Sequence, residues 1–289
     1  MKPTAFEYVR AGSLDEVLTV LEERGDEAKV LAGGQSLIPT MNMRFAAPEV
    51  LIDISGVTEL RGIEVRDDVL RIGAMCRHVE VLNAPEVAEH APLIAMAMPN
   101  IAHAAIRNRG TFGGSLCHAD PAAELPACVL ALDARLNIDG KSGPRSISAR
   151  DFFLGTYMTC LADDEVLISV DVPKVMSENV TFFDEVARRR GDYAMAGLAS
   201  QATVRSGFIT DVRLAFFAVG EVAVRAPHAE QALQGILLQD MDADAICSAI
   251  ADDISPFDDL TTSGAAKLTM MQVLTRRAVE SFAKQGAHA

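Results

Sequence analysis

Apolar and polar positions along the chain change period several times, which is the pattern of a protein that mixes helices and strands. Ser13-Leu14-Asp15-Glu16 reads as a capping box opening a helix with Val17, Leu18 and Leu21 on its apolar face. Val30-Leu31-Ala32 is a short buried strand ending in Gly33-Gly34, and Val50 to Ile54 is a second strand, so the first fifty-odd residues form an α/β unit. Residues 60–75 read as a hairpin: Leu60 to Arg66, a turn at Asp67-Asp68, then Val69 to Ala74. Helical spacing covers 86–98, a second glycine turn lies at Gly110 to Gly114, and Pro121 stands where a helix through Leu125, Val129 and Leu132 starts.

Val166 to Val172 is another strand, stopped by Pro173, and the polar stretch Lys174 to Asn179 reads as a linker. Beyond it come the longer strands Thr181–Ala187, Ala194–Val204 and Ile209–Val219. Two or three helices follow, the last with Met271, Leu274, Ala278 and Phe282 on one face. The pattern divides the chain into an N-terminal α/β subdomain over 1–56, a second α/β subdomain over 57–176, and a small C-terminal α+β domain over 177–289.

Composition narrows the function classes. The chain has 289 residues, enough for roughly two or three folding units. Hydrophobic residues at 49% with 23% charged exclude a disordered chain. No charge-free apolar run approaches the ~18 residues of a membrane span, so no integral membrane segment is expected. Met1-Lys2-Pro3-Thr4-Ala5-Phe6 has no apolar core behind its lysine and does not read as a secretory signal, which makes the expected setting cytoplasmic. The net charge of −14 argues against a nucleic-acid partner, which calls for a basic face. The absence of Trp and the presence of only three Tyr argue equally against a stacking platform for bases. Cys76, Cys117, Cys128, Cys160 and Cys247 are odd in number and widely spaced, with no C-x-x-C pair. They read as small buried hydrophobes rather than as a disulfide framework, zinc site or iron–sulfur cluster.

Two segments stand out chemically, Leu31-Ala32-Gly33-Gly34-Gln35-Ser36-Leu37 and Thr111-Phe112-Gly113-Gly114-Ser115-Leu116. Each sets a glycine pair beside hydroxyl residues. Without a Cβ the main chain can approach a ligand and offer a row of N–H donors, a combination suited to a diphosphate. The bland alternative is a pair of tight turns with positive φ. No G-x-G-x-x-G follows a strand, and Gly140-Lys141-Ser142 lacks the earlier glycine of a P-loop, where Arg135 stands instead.

Taken with Ile106 to Ser115, Ala119 to Pro126 and Arg188-Arg189-Arg190-Gly191-Asp192-Tyr193-Ala194, these motifs make the chain resemble, over nearly its full length, one family. It is the FAD-binding medium subunit of the molybdenum hydroxylases, such as carbon monoxide dehydrogenase and xanthine dehydrogenase. The resemblance implies an α/β plus α+β protein, with a two-subdomain FAD-binding fold of the vanillyl-alcohol-oxidase (PCMH) type followed by the small C-terminal domain. It implies FAD on this chain. Molybdopterin would lie on a large partner subunit and two [2Fe–2S] clusters on a small one, the whole forming a dimer of heterotrimers that passes electrons to an external acceptor. The alternatives are a stand-alone FAD oxidoreductase and a flavin-free scaffold subunit.

The same resemblance implies site roles. Val30, Leu31, Ala32, Gly33, Gly34, Gln35, Ser36 and Leu37 would wrap the diphosphate, and Thr111, Gly114 and Ser115 would close on it. Ile101 and Ala102 would lie against the isoalloxazine, Asp120 and Glu124 near the ribityl and ribose hydroxyls, Leu167 or Ile168 beside the adenine. Tyr193 would reach the flavin from the C-terminal domain. Many members carry lysine where this chain has Glu185, which is expected near the flavin and to affect its redox tuning. No residue is assigned to catalysis or to a metal.

Overall fold

The computed structural model describes residues 2–286. Its first sheet is parallel, with Val50–Asp53 between Glu7–Arg10 and Ala28–Leu31. The helix Leu14–Arg24 packs on it through Val17 and Leu21. Its start differs in one detail from a capping box. Ser13 Oγ accepts from the Glu16 N–H at 3.3 Å, but the Glu16 carboxylate reaches back to the Gly12 N–H at 2.7 Å. The edge strand Glu7–Arg10 was not legible in the sequence, because four residues lying almost wholly outside the core carry no apolar alternation.

The second sheet is antiparallel, in the order Ile63–Arg66, Val69–Gly73, Glu165–Pro173, Arg135–Gly140, Arg145–Ser148. The expected hairpin is present, and Asp67 takes φ 36 at its turn. The helical stretch over 86–98 divides into Pro85–His90 and Pro92–Ala97. Pro92 removes a backbone donor and holds Ala91 at φ −139, ψ 57, outside the helical region. The helix expected from Pro121 begins at Glu124, since Asp120 Oδ1 accepts from the Ala122 N–H at 2.9 Å and keeps this stretch in a turn.

In the C-terminal part, Asn179–Val186, Ala196–Arg205, Phe208–Phe217 and Val224–Arg225 form an antiparallel sheet. The two long central strands are joined at Ser206-Gly207, both with positive φ (52 and 79), the conformation whose twist suits a two-residue hairpin. Alternation along these strands makes two faces. Phe182, Leu198 and Phe216 bury against Met271, Leu274, Ala278 and Phe282 of the helix Gly264–Gly286. Phe183, Ala199 and Phe217 face the other way and join the core of the second subdomain, around Leu125 and Val129. The C-terminal domain is thus docked through its sheet onto the helix Glu124–Ala131. The core of the N-terminal part is likewise completed from beyond residue 56, by Leu60, Met75 and Val166.

Gly197 marks the tightest point of this docking. Its missing Cβ would lie 2.7 Å from Phe217 Cε2 and nearer still to other ring atoms, and that ring is buried and stacked on Phe183 with centroids 5.8 Å apart. Because the ring has nowhere to move, Gly197→Ala is expected to destabilise the protein by about 1–3 kcal/mol through overpacking. Denaturant unfolding checks this, and an unchanged midpoint would show that the seam tolerates rearrangement.

Candidate functional site

A cleft of about 780 Å³ opens where the three parts meet, a size typical of small-molecule and cofactor sites. Residues of the first glycine loop form one wall and those of the second form another, while Gly191, Asp192 and Tyr193 reach it from the C-terminal domain. Of the residues singled out from sequence, Leu31 and Ile168 do not line it; the remaining sixteen do. Leu31 props the loop from behind, with Cδ1 3.2 Å from where a Cβ of Gly34 would be. Ile168 turns to the N-terminal core, while Leu167 next to it faces the cleft.

The first loop follows the strand Ala28–Leu31 and leads into the helix Leu37–Asn42. Gly34 takes φ 70, which L side chains adopt at a cost. Gly33 is bare for another reason: a Cβ there would collide with the Arg109 carbonyl and lie 2.8 Å from Gly110 Cα, so the two subdomains touch backbone to backbone. Gln35 Nε2 donates to the Gly33 carbonyl at 3.0 Å and braces the loop from within. Among the described residues, no backbone N–H from Gly33 to Leu37 has a protein acceptor. Five successive donors on cleft-lining residues are the makings of an anion cradle.

The second loop differs from expectation. Gly113 and Gly114 belong to the first turn of the helix Phe112–His118 and have no positive φ. Their N–H groups are engaged, Gly113 with the Ala74 carbonyl at 2.8 Å and Gly114 with Thr111 Oγ1 at 3.2 Å. Phe112 donates to Cys76 and Ser115 to Thr111. The glycines here permit packing: a Cβ on Gly113 would lie 2.8 Å from Ala74 Cα, and one on Gly110 would meet the His78 ring. What this loop offers a ligand is the Thr111 and Ser115 hydroxyls.

Ile101 and Ala102 form an apolar turn held by one side chain. Ala102 takes φ 45, and Arg107 Nη1 donates to the Ile101 and Ala102 carbonyls at 2.8 and 2.7 Å. Gly191, at φ 86, sits directly on that turn; a Cβ there would lie 2.7 Å from the Ala102 carbonyl oxygen. Arg107 and Gly191 both stand in motifs visible in the sequence, yet no periodicity marks either as a clamp. Tyr193 lines the mouth and is 70% exposed. Tyr157, which the sequence reading passed over, lies opposite, its ring 4.9 Å from that of His118.

Three further groups set the electrostatics. Burial, with the nearby Asp120 charge, lifts Glu124 to about 7, so this carboxyl holds a proton far above the usual range. His78, also missed, is buried with Nδ1 unpartnered, and burial together with Arg107 holds it at about 4, a neutral imidazole at physiological pH. Glu185 is not a cleft residue. It lies behind Glu124 in the domain seam, where burial and the Glu124 charge lift it to about 8. The expectation that it stands beside the flavin is therefore corrected: Glu185 is not among the cleft-lining residues, and its Oε2 is buried in the seam without a partner.

These residues fit a flavin dinucleotide. A row of unpartnered N–H groups suits a diphosphate, hydroxyls and carboxyl groups suit sugar and ribityl oxygens, and the Ile101–Ala102 turn gives an apolar seat for a flat ring. Comparison with known proteins agrees. Residues 4–175 match the family model for the FAD binding domain in molybdopterin dehydrogenase, and 181–282 match that for the CO dehydrogenase flavoprotein C-terminal domain. The nicotine 6-hydroxylase medium subunit of Paenarthrobacter nicotinovorans is 40% identical over 280 residues, covering 96% of this chain and 98% of that one. The carbon monoxide dehydrogenase medium chain of Hydrogenophaga pseudoflava is 35% identical over 281 residues, covering 97% and 98%. Among solved structures, carbon monoxide dehydrogenase from Hydrogenophaga pseudoflava superposes with a TM-score of 0.95 at 36% identity, covering 99% of both chains. Quinoline 2-oxidoreductase from Pseudomonas putida 86 gives 0.92 at 36% with the same coverage. Sequence motifs, cleft and relatives converge on one conclusion: the chain belongs to the FAD-binding medium subunits of the molybdenum hydroxylases.

Proposed function

We propose that this subunit is the electron outlet of a cytoplasmic complex built as a dimer of heterotrimers, with a large molybdopterin subunit and a small subunit bearing two [2Fe–2S] clusters. Bound FAD supplies the chemistry of accepting electrons one at a time or in pairs and releasing them to an external acceptor. The chain's own residues bind, orient and shield. Gly33 to Leu37 hold the diphosphate through main-chain donors, with Val30 and Ala32 at the root of the loop. Thr111, Ser115 and the Ser36 hydroxyl add side-chain bonds, and Gly114 leaves room for them. Asp120 and Glu124 receive the sugar and ribityl hydroxyls, Leu167 packs beside the adenine, and Ile101 and Ala102 seat the ring under Tyr193. Leu31 and Ile168 act from behind, as packing. The observation that carries this reading is the set of five N–H groups without an acceptor among the described residues.

Gly34→Val tests the cradle. A branched side chain at φ 70, with Ile38 Cγ1 and Leu31 Cδ1 each 3.2 Å from the new Cβ, strains the loop by about 1–3 kcal/mol and displaces its donors. The purified variant should lose its flavin absorbance while keeping its far-ultraviolet circular dichroism. Full FAD occupancy would refute this assignment of the loop.

Tyr193→Ala tests the cover. Since Tyr193 lines the mouth and packs little against the protein, the variant should keep its FAD and its stability within about 0.5 kcal/mol. Quenching of flavin fluorescence by iodide should rise severalfold. Unchanged quenching and unchanged absorption bands would remove Tyr193 from the ring's surroundings.

A further inference from the structure

Two acidic side chains stand on the two sides of the seam between the second subdomain and the C-terminal domain, and among the described residues neither is paired with a cation. Glu124 opens the helix Glu124–Ala131 and lines the cleft. Glu185, near the end of the strand Asn179–Val186, shares a pleat face with Phe183, the face that packs on that helix. Asp184 points the opposite way and binds Arg277 of the helix Gly264–Gly286 at 2.6 Å, so this guanidinium serves the far side of the sheet. Across the ladder from Glu185 stands Gly197, with no side chain to offer, beneath the Phe217 ring. The neighbouring helix Pro92–Ala97 carries no titratable residue. The other ionisable groups near the pair are Asp120, Cys128 and, beyond Glu124, Tyr193, all of them acids; Asp184 adds its charge from the far face, and His118 of the helix Phe112–His118 lines the same cleft beside Asp120. Neither carboxyl accepts a hydrogen bond from another residue among those described, and Glu185 Oε2 is buried with no partner.

Two carboxylates in such surroundings cannot both ionise at neutral pH, because each charge opposes the other in a poorly solvated space. FAD arriving in the cleft brings the negative charge of its diphosphate and covers Glu124 with its sugar and ribityl part, and both effects favour the protonated form further. We propose that Glu124 and Glu185 act as one proton-holding unit at the base of the cleft, and that FAD binding is linked to uptake of a proton from solvent onto this pair. The proposal rests on the FAD reading above and assigns Glu185 as a positioning residue that acts through Glu124. Glu124 then meets the cofactor hydroxyls as a group that both donates and accepts, rather than as an anion that only accepts.

The linkage has a definite sign. With the pair lifted from 4.5 to about 7 and about 8, the folded chain holds protons that the unfolded chain has released, so stability of the FAD-free chain falls as pH rises above 4.5, and the fall levels off through the range of about 7 to about 8. FAD affinity falls over the same range and beyond, approaching tenfold per pH unit once the free pair is ionised.

The test is titration calorimetry of FAD into the full chain stripped of flavin, at about pH 8, in two buffers of different ionisation enthalpy. Wild type should take up a substantial fraction of a proton. Glu185→Gln, which removes one of the two proton-holding groups, should diminish the uptake and flatten the dependence of affinity on pH; Glu124→Gln should do the same if the first variant folds poorly. Wild-type binding with no proton exchange, or undiminished uptake in the variants, overturns the proposal. Infrared difference spectra of the FAD-free chain give a readout independent of the cofactor: a protonated-carboxyl stretch at neutral pH that Glu185→Gln weakens. Should the chain bind no FAD at any pH, the cofactor reading fails while the infrared band still decides whether the pair holds a proton.

Discussion

The close approach of Gly33 to the Arg109–Gly110 backbone sets the geometry of everything around it. No side chain intervenes, so the loop after the first subdomain's strand and the loop before the helix Phe112–His118 meet at van der Waals distance. The cleft is the space left beside that contact. A methyl group at Gly33 would push the loops apart and widen the site along its whole length. His78, buried beneath Gly110, supports the contact from the second subdomain, and its neutral imidazole adds no charge to a place meant for an anion.

The two glycine pairs look alike in sequence and do different work. In the first, five N–H groups are left without acceptors among the described residues and Gly34 adopts a left-handed conformation. In the second, the N–H groups are engaged with Ala74, Cys76 and Thr111, and the glycines serve close packing. A glycine can be required for φ, for proximity or for a ligand, and the letter alone does not separate these. Here the hydrogen-bond partners do.

Much of the fold was legible in the chain because its strongest signals are local. The hairpin at Asp67-Asp68, the strand ended by Pro173 and the apolar face of the last helix, through Met271 and Phe282, all follow from periodicity and turn chemistry. The edge strand Glu7–Arg10 and the polar-rich strands Arg135–Gly140 and Arg145–Ser148 were missed, since their pairing is decided by neighbours distant in sequence. The same holds at the site. Motifs pointed to the glycine loops and the acidic turn. The roles of Arg107, His78 and Tyr157 and the burial of Glu185 in the seam depend on how segments distant in sequence come together.

The central claim is that the donors of Gly33 to Leu37, and not those of the second glycine pair, receive the cofactor's diphosphate. Amide hydrogen exchange of the full chain with and without FAD tests this most directly. The account predicts rapid exchange at 33–37 in the FAD-free chain and strong protection when FAD is bound, while the amides of 112–115 are protected in both states. Equal exchange at 33–37 in the two states, with protection gained instead at 112–115, would contradict it.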